Sequence, residues 1–279
     1  MNIGIVLALA SALAYGTSAL IGGLGSRRHS LWQVVLVGQS AGAIVMLVAG
    51  LALPGDPVPL DFVWALLAGV GSVTGGIFLY RGLARGRMGL VAPISAVGAA
   101  VLPVLAGLVF GERPGPLVWV GMLVALPGIW LVSRNPASGR PTDAPTALVD
   151  GVIAGVGFGV LFIALAQISD DAGLLPLAAN QLVGAMLTVI AAAGLKQVWR
   201  PSPGVLGWGS ASGVLGALGT LAFMVATSTT SLGIAGVLAS LYPAVTVLLA
   251  AGVLKERVAL PQRAGIGICT LAVAAMALG

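Results

Sequence analysis

The chain has 279 residues, 58% of them hydrophobic and only 8% charged, with a net charge of +5. Soluble domains carry roughly 25% charged residues, so a water-soluble fold is excluded. The surplus of basic residues is scattered through short turns, which points to membrane orientation rather than to a nucleic-acid surface.

About 20 apolar residues cross a bilayer as a helix, and ten such stretches follow one another along the chain. The first, 3–24, starts without a basic segment. Ala8-Leu9-Ala10 resembles a signal-cleavage site, but the apolar run continues past Tyr15, so the stretch reads as an uncleaved span. The second, 31–53, carries Gln39 and Ser40; the third, 60–82, carries Ser72, Thr74 and Tyr80. The fourth, 89–110, holds Pro93, Ser95 and Pro103, and the fifth is 117–133. The stretch from Asn135 to Pro145 is polar and Pro-rich and reads as a linker.

Beyond it lie 147–168, 174–195 with Asn180, Gln181 and Thr188, and 204–227 with Thr220. The ninth stretch, 232–254, contains Ser240, Tyr242, Pro243 and Thr246, and the tenth, 260–278, holds the lone Cys269. Glycines stand three or four apart on several of these helices: Gly71 and Gly75; Gly151, Gly155 and Gly159; Gly209, Gly213 and Gly216. In lipid such stripes let helices approach closely. Five of the six tryptophans, Trp32, Trp64, Trp119, Trp130 and Trp208, fall near predicted helix ends, where indole rings favour the interface.

Twelve of the thirteen Lys and Arg residues fall in alternate turns, after the first, third, fifth, seventh and ninth spans; the opposite side holds only Arg113. Basic short loops favour the cytoplasm, so the count places both termini outside.

The two halves repeat. At an offset of 144, Gly89 pairs with Gly233, Glu112-Arg113 with Glu256-Arg257, and Gly121 with Gly265; earlier, Gln39-Ser-Ala-Gly matches Gln181-Leu-Val-Gly. Five spans precede the linker and five follow it. An odd number makes the second copy enter from the other side, so the expected fold is an all-α integral membrane protein of two inverted five-helix repeats, residues 1–134 and 146–279 around a linker at 135–145.

Gly111-Glu112-Arg113 followed by Gly121, and Lys255-Glu256-Arg257 followed by Gly265, resemble the paired motifs of the EamA branch of the drug/metabolite transporter superfamily. Tyr15-Gly16 stands where that family often has Trp-Gly. The resemblance covers essentially the whole chain. It implies export of small metabolites, such as amino acids or drugs, across a prokaryotic-type inner membrane. It also implies cytoplasmic termini, against which the charge count of this chain argues.

A polar side chain in hydrocarbon is costly unless it is partnered or faces water. The deepest candidates are Tyr15, Thr17, Ser18, Gln39, Ser40, Ser72, Thr74, Ser95, Asn180, Gln181, Thr188, Thr220, Ser240, Tyr242 and Thr246. For Ser and Thr the competing role is a bond to the helix's own backbone; for the glutamines it is an interhelical bond. From these we select Tyr15, Gln39, Ser95, Asn180, Gln181 and Tyr242 as expected substrate-binding residues. Pro93, Pro103 and Pro243 each remove a backbone donor and are expected to break the fourth and ninth helices beside a cavity.

The acidic residues all read as lying in turns or at helix ends, and His29 is in the first turn. No catalytic set, metal-ligand cluster or cofactor motif stands out, and no nucleic-acid partner is expected. The expected partners are the lipid bilayer and a small-molecule substrate, uncharged or zwitterionic, moved by alternating access; the oligomeric state is left open. The alternatives are a lipid-carrier flippase, which would want a basic pocket near Arg81, and a non-transporting membrane scaffold.

Overall fold

The computed structural model describes residues 3–84, 88–134, 144–253, 255 and 258–279. The linker residues 135–143, together with Arg85, Arg87, Glu256 and Arg257, lie outside the described residues.

Among the described residues, eleven α-helices build ten spans. The first half contains α1 (Ile3–Ser26), α2 (Leu31–Ala52), α3 (Pro59–Ala84), α4 (Met88–Val109) and α5 (Pro116–Ser133). The second contains α6 (Ala144–Leu165), α7 (Leu175–Gly194), α8 (Leu206–Thr227), α9 (Leu232–Ala239), α10 (Tyr242–Val253) and α11 (Leu260–Leu278). Ala144 and Pro145, assigned to the linker from the sequence, begin α6. All ten spans are long and apolar enough to cross a membrane. Their outward faces are rich in exposed aliphatic side chains, such as Ile44, Leu123 and Leu271, as a lipid-facing surface requires.

The ninth span is two helices. α9 ends at Ala239, a turn covers Ser240 and Leu241, and α10 starts at Tyr242 with Pro243 in its first turn. Proline lacks a backbone donor and suits a helix start, so the break falls just before it. The fourth span differs: α4 runs unbroken through both Pro93 and Pro103. The expected break therefore occurs in one repeat only. Pro103 instead offers its ring to Gly236 of α9.

Helices of one half pack mainly on helices of the other, and the contacts are reciprocal: α3 on α6 and α1 on α8, α2 on α8 and α3 on α7. Three pairs sit between repeat-related helices, α2 with α7, α4 with α9 and α5 with α11, and the first and last show the direction. On α2 and α7, a Cβ at Gly184 would lie 2.7 Å from the Gln39 side chain, and one at Gly42 would lie 2.6 Å from the Gln181 amide nitrogen. On α5 and α11, Gly121 faces Met276 while Gly265 faces Val132. In each of these two pairs the contact number falls on one helix as it rises on the other. α2 and α7 therefore run antiparallel, and so do α5 and α11.

The glycine stripes do what small residues allow. Gly71 and Gly75 meet α6 at Gly157 and Phe158, Gly151 and Gly155 meet α4 at Ile94 and Gly98, and Gly209 and Gly213 meet α2 at Val37 and Gly38.

A candidate solute cavity between the two halves

A cavity of about 170 Å³ lies where α1, α2 and α3 meet α6, α7, α8 and α10. Its inner end is made by Tyr15, Phe158, Phe162, Gln181, Thr220 and Tyr242, and its outer part by Val34, Val35, Leu79, Tyr80, Ser212 and Gly213. The lining residues of α1, α2 and α3 all fall in the half of each helix nearest the basic turns. The cavity thus reaches from mid-membrane toward the basic face.

Four of the six expected binding residues meet there: Tyr15, Gln39, Gln181 and Tyr242. Gln39 Nε2 donates to Ser72 Oγ at 3.3 Å. Tyr15 is 2.9 Å from Thr220 Oγ1 and tilts against Phe162, which stacks on Phe223. Phe158 meets the Tyr242 ring edge-on. The other two stand behind the wall. Ser95 is fully buried on α4 beside the Tyr242 hydroxyl, and Asn180 is 1% exposed on α7, with its carbonyl against Gly69. Pro243 is buried next to Tyr242.

Sequence reasoning omitted Tyr80, Ser212, Phe158 and Phe162 from the site. Tyr80 lies in the last turns of the third span, away from the deepest polar positions. Aromatic residues in a uniformly apolar span carry no sign of which neighbour they face. Ser212 lies one position before Gly213, whose stripe packs on α2, and that adjacency was the available signal.

Among the described residues, none that lines this cavity is charged. Arg81 pairs instead with Asp150 at 3.0 Å and lies over the Phe78 ring. Asp150 had been assigned to a helix end, yet it sits within α6 with no exposed surface. A buried carboxylate needs such a partner.

On the opposite, acidic face, carboxylates and backbone groups tie the two halves together. Asp61 at the start of α3 accepts hydrogen bonds from the Ser169 N–H, the Ser169 hydroxyl and the Val58 N–H. Asp56 N–H donates to the Asp171 carbonyl at 2.8 Å. Glu112 accepts from the Leu232 and Gly233 N–H groups, capping α9. The sequence leaves Glu112 either to cap a helix end or to pair locally; here it caps a helix that lies 120 residues away in the chain. A carboxylate suits that position because free N–H groups and the helix dipole converge on it. The basic face has a lighter counterpart, the Gln33 amide donating to the Arg200 carbonyl.

The comparisons agree with this architecture. The model of the EamA-like transporter family matches residues 2–134 and again 146–278. An uncharacterized protein of Methanocaldococcus jannaschii is 26% identical over 135 residues, covering 48% of this chain and 98% of that protein. Its whole length thus corresponds to about one repeat. A protein crystal structure superposes with a TM-score of 0.77 at 16% identity, covering 99% of this chain and 97% of the other, which is a likeness of fold.

Proposed function

The chain belongs to the EamA-like transporter family, and from that premise we propose that it carries a small uncharged or zwitterionic metabolite across a prokaryotic-type inner membrane, as an exporter. One observation carries this reading: a polar, aromatic, uncharged cavity at mid-membrane, shared by both halves. Transporter sites sit at the interface of structural repeats. Burying a full charge there without a partner would be costly, so a neutral or internally balanced solute fits best.

The antiparallel contacts of α2 with α7 and of α5 with α11 support inverted repeats. In such a pair the same rocking motion opens one face as it closes the other. The cavity reaches toward the basic face while carboxylate bonds close the acidic one. With basic loops inside the cell, this arrangement is the cytoplasm-open state, and both termini lie outside. The flippase reading is weaker, because its phosphate partner Arg81 is already engaged by Asp150.

Reconstitution into liposomes tests the proposal. Metabolite pools with and without the protein nominate a solute, which should then cross vesicles carrying the protein faster than empty ones. Gln39→Ala, Gln181→Ala and Tyr242→Ala should each cut that flux while the protein still reaches the membrane. No flux above empty vesicles would support a scaffold, and unchanged flux in all three variants would point to a different path. Accumulation against a gradient driven by pH would refute passage down the solute's own gradient.

A further inference from the structure

The hydroxyl groups on the α1–α8 wall of the cavity can be followed proton by proton. Each has one hydrogen to give. A backbone carbonyl can only accept, so a hydroxyl within reach of one spends its proton there. Ser18 Oγ donates to the Ser212 carbonyl at 2.7 Å, and Ser212 Oγ donates to the Ser18 carbonyl at 3.0 Å. Thr220 Oγ1 donates to the Gly216 carbonyl at 3.1 Å. The Tyr15–Thr220 contact must then run one way, with the Tyr15 hydroxyl donating to Thr220 Oγ1. The reverse assignment would make one bond where this one makes two, and an unmade buried bond costs about 1–3 kcal/mol.

Tyr15, Ser18, Ser212 and Thr220 all line the cavity. With their protons committed, this wall presents lone pairs only. Beside it stand the ring of Phe162, against Tyr15, and that of Phe158, against Tyr242.

We propose that the α1–α8 wall is an acceptor-only subsite that selects solutes carrying a hydrogen-bond donor head, the primary ammonium of a zwitterion or a primary amide, and rejects a carboxylate presented to the same wall. The inference rests on the transporter reading above and narrows its substrate class. The reason is chemical. A carboxylate has lone pairs and no hydrogens, so it would face four oxygens of like polarity in a low-dielectric site. An ammonium or amide supplies the hydrogens those oxygens lack.

A matched set of probes with one phenyl tail tests it: 2-phenylethylammonium, its N,N,N-trimethyl derivative, 3-phenylpropanamide and 3-phenylpropanoate, all at pH 7. Binding is read as thermal stabilisation of the purified full chain, and flux is read separately in proteoliposomes. The primary ammonium and the amide should bind roughly 10-fold or more tighter than the carboxylate and the trimethyl compound. The trimethyl compound keeps the charge and loses the donors. If it binds as well as the primary ammonium, ring–cation attraction is the selector and the inference falls. Equal or tighter binding of the carboxylate also overturns it.

Thr220→Val keeps the shape and frees the Tyr15 proton for the cavity. It should shift the ammonium-to-carboxylate preference toward the carboxylate by roughly 10-fold. Should that variant not fold, Tyr15→Phe removes an acceptor and should weaken ammonium binding. An unchanged preference in whichever variant folds counts against the subsite. Selective binding without any flux would keep the subsite and sink the transporter reading. Flux without the preference would do the opposite, and neither binding nor flux from any probe would sink both.

Discussion

The Gln39 side chain rests on Gly184, three residues beyond its own repeat counterpart, Gln181. Gln181 rests on Gly42 in the same way. Each carboxamide fills the space that the other helix leaves open by lacking a side chain. The two polar groups are brought to the middle of the membrane by backbone proximity, and the cavity forms beside them.

That contact is sensitive to size. Gly184→Val and Gly42→Val should each lower stability by about 1–3 kcal/mol, the usual cost of overpacking. Thermal unfolding in detergent checks this, with Gly194→Val, where nothing lies within 4 Å of an added Cβ, as a control that should shift far less.

Asp61 holds the two halves together on the acidic face through Ser169. Hydrogen bonds to a charged group contribute roughly 1.5–3 kcal/mol each. Asp61→Ala should therefore favour opening of that face. A cysteine placed at Ser169 in a Cys269→Ala background should react faster with a membrane-impermeant thiol reagent when Asp61 is replaced. Identical labelling rates would remove Asp61 from the closure.

The Arg81–Asp150 pair makes a sharper distinction. Arg81→Met leaves a buried carboxylate without its cation and should cost about 3 kcal/mol, the low end for breaking a buried pair, since the guanidinium is 39% exposed. Arg81→Met with Asp150→Asn should recover much of the loss. A double variant no better than the single one would show that the charge pair contributes little.

The basic turns predict that the C-terminus lies outside. Alkaline phosphatase fused after Gly279 should be active and a fluorescent protein at the same position dark. A fluorescent cell reverses the assignment, and with it the statement that the cavity reaches toward the cytoplasm.

Spans and repeat could be read in advance because lipid imposes them locally. A helix in hydrocarbon must be long, apolar and internally bonded, and duplication copies residues in register. The paired glutamines were legible for the same reason: Gln39 and Gln181 occupy equivalent positions in the two copies. The fates of Ser95 and Asn180 were not. Both are polar and deep, yet which side of a helix meets the cavity depends on neighbours far away in the chain. Proline misled in one repeat, since α4 absorbs Pro93 and Pro103 without a break while the ninth span yields before Pro243.

By itself, then, the sequence determined ten crossings, their two-fold duplication and the sidedness of charge, since each follows from how short stretches partition between water and lipid. Only the tertiary structure decided that Glu112 caps α9, that Asp150 takes Arg81, and that the α1–α8 hydroxyls turn their protons away from the cavity. Those outcomes depend on which helix faces run side by side, and that is set by the summed packing of the whole bundle.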